Sequence, residues 1–420
     1  MQKTVVKSIF ASACLITLSI FYAFDLRKAI SEPSLFLSNT FYPSQGRQNE
    51  PNETAILSIS TFTLSSTVTL PTLMGSSLSS KASISSPISQ RNQDGKRILD
   101  LDISDSLKKC IGNEVLESVP QVFNSTFKNP CWINDQNNLR CLPYFYLAGT
   151  PKSGTSDLLS KINSHPDVMP TTKELQWWTR VRFKYRSLAW YLNKQYSLVQ
   201  ELTNGNQYTA EHFVIGDGSA STLWDNYHFA EKFGSLEHLG CDVLRVVQPD
   251  VKIIGIFRNP ADRLYSGYKF FKRRNKKSPE EFHSGVLSSI KTFNECLKNN
   301  DNKTCTYTYR GELRLNVGVY NIFVRDWIKC FPRHQMYFLR TDEWRNCTSE
   351  LPKIYHFLEL NPLSDDQILS ICSEQQRNTN AAKKVGPMLS KTRLLLNEFY
   401  RPFMEDLAEV LGDTRYSWNL

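Results

Sequence analysis

The stretch that most limits what this chain can fold into runs from Tyr144 to Ile162. Tyr144-Phe145-Tyr146-Leu147-Ala148 is a short apolar run suited to a buried strand, Gly149-Thr150-Pro151-Lys152-Ser153-Gly154-Thr155-Ser156 is a tight loop, and Asp157 to Ile162 has helical spacing. Strand, glycine-bounded loop and helix in that order predict an α/β fold, a P-loop-like parallel sheet flanked by helices. Glycines at both ends let successive backbone N–H groups turn inward, and the helix N-terminus adds its dipole, so an anionic group is expected there. Lys152 supplies a full positive charge. The spacing matches the G-x-x-x-x-G of a P-loop, but the lysine is inside the loop and Thr155 follows Gly154, so a Walker-A kinase fits imperfectly. A glycine-rich turn with a solvated lysine is the bland reading.

A second unit favours the functional one. Val251-Lys252-Ile253-Ile254-Gly255-Ile256-Phe257 reads as a buried strand, and Arg258-Asn259-Pro260 opens a helix over Ala261 to Phe271, with Pro260 suited to a first helical turn. Arg258 then stands at the carboxyl end of a strand, where open α/β sheets bind ligands, and Ser266 lies two turns further on. An arginine and a hydroxyl suit a second phosphate. Taken alone, Arg258 would be read as a surface arginine in a salt bridge.

These two motifs resemble those of the Golgi carbohydrate sulfotransferases: Thr150 to Ser156 is similar to their 5′-phosphosulfate loop, and Arg258-Asn259-Pro260 through Tyr265-Ser266-Gly267-Tyr268 to their 3′-phosphate motif. The resemblance covers most of residues 130–420 and is greatest to the N-acetylgalactosamine 4-sulfate 6-O-sulfotransferase branch, which modifies chondroitin sulfate. It rests on Cys141 to Leu147, Lys173-Glu174-Leu175-Gln176-Trp177-Trp178-Thr179-Arg180, Ala220 to Asn226 and Phe399 to Phe403. It implies a lumenal enzyme that takes 3′-phosphoadenosine 5′-phosphosulfate as donor and a sulfated glycosaminoglycan as acceptor. Lys152, Ser153, Gly154, Thr155 and Ser156 would hold the 5′-phosphosulfate, and Arg258 and Ser266 the 3′-phosphate. Lys383 and Lys384 would close a basic loop over the nucleotide.

In-line sulfuryl transfer builds charge on the leaving oxygen, which Lys152 and the loop amides would neutralise. The acceptor hydroxyl must also lose its proton. The resemblance assigns that task to Glu174, whereas the residues alone do not separate Glu174 from Asp217 or His165. Many relatives carry a lysine near Gly216-Asp217-Gly218-Ser219-Ala220, and this chain has none there. For the acceptor, Arg180, Arg182, Lys184 and Arg186 alternate and would share one face of an extended segment, while one of Trp177 and Trp178 would stack on a sugar. Arg180, Arg182 and Trp177 are therefore the acceptor candidates. A second basic cluster runs from Lys269 to Lys277; a solvated basic face is the alternative for both.

Ser8 to Phe24 is an uncharged apolar run of 17 residues with lysines before it, read as a retained signal-anchor between a cytoplasmic tail (1–7) and a stem (25–109), with a cleaved signal peptide as the alternative. Residues 51–90 hold 18 Ser or Thr with only Glu53 and Lys81 charged, which cannot bury a core. The globular domain is expected over 110–420. Sequons at Asn52, Asn124, Asn302 and Asn346, with nine of ten cysteines beyond the apolar run, favour a lumenal or extracellular body on a single-pass type II membrane protein, which the resemblance would place in the Golgi. Cys131/Cys141 and Cys296/Cys305 are close enough in sequence to close local loops, and these pairs also resemble that branch. The remaining five lumenal cysteines are an odd number, leaving at least one unpaired or intermolecular.

The net charge is +9, and the surplus over residues 101–420 is only six, too thin for a nucleic-acid coat. The seven histidines show no metal-ligand spacing, so no metal is expected. Oligomeric state is open, a homodimer included. The rival functions are a membrane-anchored binder of sulfated glycans without chemistry and a sulfotransferase with another carbohydrate acceptor.

Overall fold

The computed structural model describes residues 97–171, 173–203, 212, 214–271, 277–374 and 385–420. The tail, the apolar run, most of the stem, Asn52, Lys383, Lys384 and residues 272–276 of the second basic cluster lie outside the described residues. The chain divides after Ile84, and every described residue belongs to the second unit, Ser85–Leu420.

A small antiparallel hairpin, β1 (Cys131–Ile133) with β2 (Leu139–Cys141), pairs Cys131 with Cys141. The main sheet has five parallel strands: β3 (Phe145–Gly149), β4 (Val168–Met169), β5 (Val214–Asp217), β6 (Lys252–Phe257) and β7 (Met336–Arg340), in the order β4-β5-β3-β6-β7. Both expected strands are present, each starting one residue later than read. Successive side chains point to opposite faces, which sorts the core into two. Tyr146, Ala148, Ile253 and Phe257 enter the larger cluster, while Phe145, Leu147, Ile254 and Ile256 enter the smaller one on the other face. Strands apolar on both sides are what a helix-covered parallel sheet requires. Gly216 permits this packing, since a Cβ there would lie 2.2 Å from Cζ of Phe145.

Strand order reverses at β3: the chain runs from β3 out to β4 and β5, then crosses to β6 and β7 on the other side. The carboxyl ends around such a switch form the ligand crevice of open α/β sheets. Into it point helix α1 (Thr155–Ile162), which follows β3, and helix α2 (Pro260–Phe271), which follows β6 and has Pro260 in its first turn.

The folded body begins before Cys110, which corrects the expected stem boundary. Ile98 is 1% exposed, Arg97 bridges Pro120, and Leu101, Ile103 and Leu107 pack on the larger core. The apolar spacing of residues 98–111, capped at Ser104, gives a helix at Asp105–Ile111 that buries Cys110 and Ile111. Disulfides join Cys131–Cys141 and Cys296–Cys305 as expected, and also Cys241–Cys330 and Cys347–Cys372. Cys110 is the remaining thiol among the described residues and is buried. No helix among the described residues is long and apolar enough to cross a membrane.

Candidate active site

A cleft of about 630 Å³ opens at the carboxyl end of the sheet and brings together Lys152, Gly154, Thr155, Ser156, Glu174, Arg180, Arg258 and Ser266. Residues more than a hundred positions apart meet there because β3 and β6 are neighbours in the sheet.

The β3 loop is shaped by left-handed backbone at Lys152 (φ +72°) and Gly154 (φ +104°). Gly149 lies close beneath Ala220, whose carbonyl oxygen would be 3.1 Å from an added Cβ. Ser153, named with the loop as a donor contact, does not line the cleft. It is fully buried, its Oγ is 2.8 Å from Thr150 Oγ1, and its carbonyl accepts from Thr341 Oγ1 at 2.6 Å. Thr341 also donates to the Phe257 carbonyl at 3.0 Å, so the loop is tied to the ends of β6 and β7. Among the described residues, the N–H groups of Lys152, Gly154, Thr155 and Ser156 meet no protein acceptor. Four orphan donors at a helix N-terminus form a ready anion seat.

The cations around it are poorly matched by acids. Lys152 Nζ lies 3.7 Å over the Phe270 ring, and Arg258 donates only a 3.4 Å bond to the Lys152 carbonyl. Burial lowers the pKa of Lys152, and the positive charges of Lys173 and Arg258 lower it further. Two phosphate-bearing groups would relieve that repulsion, which is the fit a bisphosphorylated nucleotide needs.

Glu174 lines the cleft with left-handed backbone (φ +62°), and Gln176 shares that conformation (φ +51°). Their segment is held from below. Gln176 N–H donates to Ser219 Oγ at 2.8 Å, Ser219 N–H donates to Asp217 Oδ1 at 2.8 Å, and Tyr191 OH donates to Asp217 Oδ2 at 2.7 Å. Asp217 is thus a buried support rather than a base, its pKa raised by burial. His165 is also buried, bonded to the Asn361 carbonyl at 2.8 Å, and outside the cleft lining. Glu174 Oε2 accepts from Gln176 Nε2 at 2.9 Å and faces the cleft, so geometry separates it from both rivals.

Sequence reasoning missed Lys173. Its Nζ lies 3.8 Å from Glu174 Oε1 and donates to Ser156 Oγ, and its backbone bridges Gly218. A lysine therefore does stand beside the Gly216–Ala220 segment, brought there by a neighbouring strand extension. Also missed were Trp224, Arg314 and Thr341, which approach the cleft only through long-range packing.

The acceptor candidates divide. Arg180 lines the cleft, pairing through Nε with Asp225 and through Nη1 with Gln176 Oε1 at 2.7 Å. Arg182 does not. The segment is a 3-10 turn, Val181–Phe183, rather than an extended stretch, so alternate residues do not share a face. Arg182 turns inward, donates to the Cys110 and Ile111 carbonyls at 2.5 and 2.7 Å, and lies 5.3 Å over Trp177. Burial pushes its pKa down to about 10. Trp177 is 2% exposed, donates to the Arg186 carbonyl at 3.0 Å and stacks on Tyr191, so neither it nor the equally buried Trp178 can stack on a sugar. The tryptophan in the cleft is Trp224. The sequons at Asn124, Asn302 and Asn346 are exposed.

A parallel sheet with an anion-binding loop after β3, an arginine after β6 and a carboxylate facing both defines a sulfuryl- or phosphoryl-handling site. The sulfotransferase domain family matches residues 143–402, and the chain belongs to that family. It is 34% identical over 310 residues to carbohydrate sulfotransferase 15 of Mus musculus and 33% identical to that of Homo sapiens, covering 67% of this chain and 55% of each relative. The chain thus spans about half the length of these relatives. A solved sulfotransferase from Alicyclobacillus acidocaldarius aligns with 67% of this chain and all of its own at 19% identity, with a TM-score of 0.44.

Proposed function

We propose that the chain transfers a sulfuryl group from 3′-phosphoadenosine 5′-phosphosulfate to a hydroxyl of a glycosaminoglycan, the 6-hydroxyl of N-acetylgalactosamine 4-sulfate in chondroitin sulfate being the preferred acceptor. The observation that carries this reading is the convergence of four orphan loop amides, Lys152, Arg258 and Ser266 with Glu174 in one cleft of a sulfotransferase-family domain.

In this reading the donor supplies an activated sulfuryl group. The loop amides and Lys152 hold its 5′ end, and Arg258 with Ser266 holds the 3′-phosphate. Glu174 takes the proton of the acceptor hydroxyl as the new S–O bond forms, and Lys152 with Lys173 offsets charge on the oxygen that leaves. Lys383 and Lys384 remain proposed nucleotide contacts by resemblance. The N-terminal apolar run is proposed to anchor the domain in the Golgi membrane facing the lumen, with glycans at the exposed sequons. The four disulfides support an oxidising compartment.

Incubating the full chain with labelled donor and a panel of sulfated and desulfated glycosaminoglycans, followed by disaccharide analysis, tests the proposal. Label in 4,6-disulfated galactosamine is expected. Donor binding without transfer to any glycan would overturn it in favour of a glycan-binding protein.

A further inference from the structure

Two cleft arginines and a tryptophan are given no part in holding the donor by the reading above. Arg180 follows the Glu174 segment and Trp224 leaves the turn after β5, on the opposite side of β3 from Arg258 and Thr341 at the ends of β6 and β7. Arg180 is firmly placed: Nε binds Asp225, Nη1 binds Gln176, and its guanidinium lies 5.5 Å over the Trp224 ring. Its Nη2 has no hydrogen-bond partner among the described residues.

Arg314 approaches from the turn before Leu315–Gly318. The buried Arg263 donates through Nη2 to its carbonyl at 2.6 Å, and its guanidinium lies 4.1 Å over the Phe271 ring. Backbone and side chain are thereby positioned, yet among the described residues its guanidinium has no hydrogen-bond acceptor and no close ion pair, Asp225 acting on it only at longer range. The two arginines are close enough to feel one another, since the charge of Arg180 helps lower the pKa of Arg314, with burial the larger cause. Arg314 also stands where the main cleft meets a side cavity of about 200 Å³, which it shares with Pro151 and Phe271.

Adjacent guanidinium groups with unused donors are an unfavourable arrangement for an empty protein and a favourable one for an oxyanion, which each can meet through parallel N–H bonds. We infer that Arg180 and Arg314 form the seat for an anionic group already carried by the acceptor glycan, an ester sulfate or a uronate carboxylate. The inference rests on the acceptor reading above and names what selects within that class.

The test uses the full chain with unsulfated chondroitin, chondroitin 4-sulfate and carboxyl-reduced chondroitin 4-sulfate, comparing the parent with Arg314→Gln and Arg314→Lys. Arg314→Gln is expected to raise KM about 10- to 100-fold for acceptors carrying the seated anion, the size of one lost charge-assisted bond. Turnover at saturating acceptor should change less than about threefold, and Arg314→Lys should recover part of the loss. A KM effect on both sulfated polymers identifies the sulfate; an effect on both carboxylate-bearing polymers that vanishes on carboxyl reduction identifies the uronate. Equal loss on all three, or no change on any, overturns the seat. Should the parent transfer to none of them, the acceptor reading fails separately. The seat is then judged by calorimetry with a chondroitin 4-sulfate hexasaccharide, where an Arg314→Gln affinity equal to the parent's overturns it.

Discussion

Glu174 and Arg258 share one cleft, and the roles proposed for them separate in measurement. Glu174→Gln keeps the shape and the bond to Gln176 while removing the base, so turnover should fall by about 10² to 10⁴ with donor affinity nearly constant. Transfer rates at saturating donor check this, and a near-normal rate would remove the assignment. Arg258→Ala should do the opposite, weakening calorimetric binding of 3′,5′-ADP by about 2 to 5 kcal/mol, as expected for losing a buried charged partner. The lysines add a pH dependence. Burial lowers the pKa of both Lys152 and Lys173, so each loses its charge as pH rises through a value below the ordinary 10.5. Affinity for 3′,5′-ADP should therefore decline on the alkaline side with a midpoint below that of a free lysine; a flat profile to higher pH would show that neither ammonium meets the nucleotide.

Among the elements, the loop after β3 and the start of α2 were legible because each motif is contiguous: glycine spacing, a lysine and a proline within a few residues dictate local geometry. The segment from Lys173 to Arg186 was not. Its alternating cations suggested an extended strand, but Trp177 and Trp178 are buried by Tyr191 and Arg182, and that burial winds the chain into a turn which hides one arginine and presents another. Lys173, Trp224 and Arg314 were invisible for a related reason, since only the strand order brings them to the loop. The pairing of Cys241 with Cys330, 89 positions apart, likewise has no local signal. The Glu174 segment depends on a support that can be tested by itself. Ser219→Ala removes the hydroxyl that accepts the Gln176 N–H, a loss of about 1 kcal/mol. Because left-handed backbone at two non-glycine residues needs its surroundings to persist, kcat should fall while 3′,5′-ADP affinity holds, and equal changes in both would place the serine elsewhere in the mechanism.

For the whole molecule, the N-terminal boundary has consequences for any soluble form. The helix Asp105–Ile111 gives its last carbonyls to Arg182, so a chain beginning at residue 112 leaves that buried cation without its acceptors, whereas one beginning at Lys96 retains Ile98 in the core. Supplied with a signal peptide, the longer form is expected to be secreted and active and the shorter one retained unfolded; secretion of both in equal yield would show that residues 97–111 are dispensable. The crowding of Lys152, Lys173 and Arg258 reaches further than affinity. Mutual repulsion makes the empty cleft the uncomfortable state, and a spent nucleotide that keeps both phosphates relieves it as fully as a fresh donor does. Released product should therefore compete with fresh donor for the cleft, so that throughput depends on whatever reaction hydrolyses or carries away the bisphosphate.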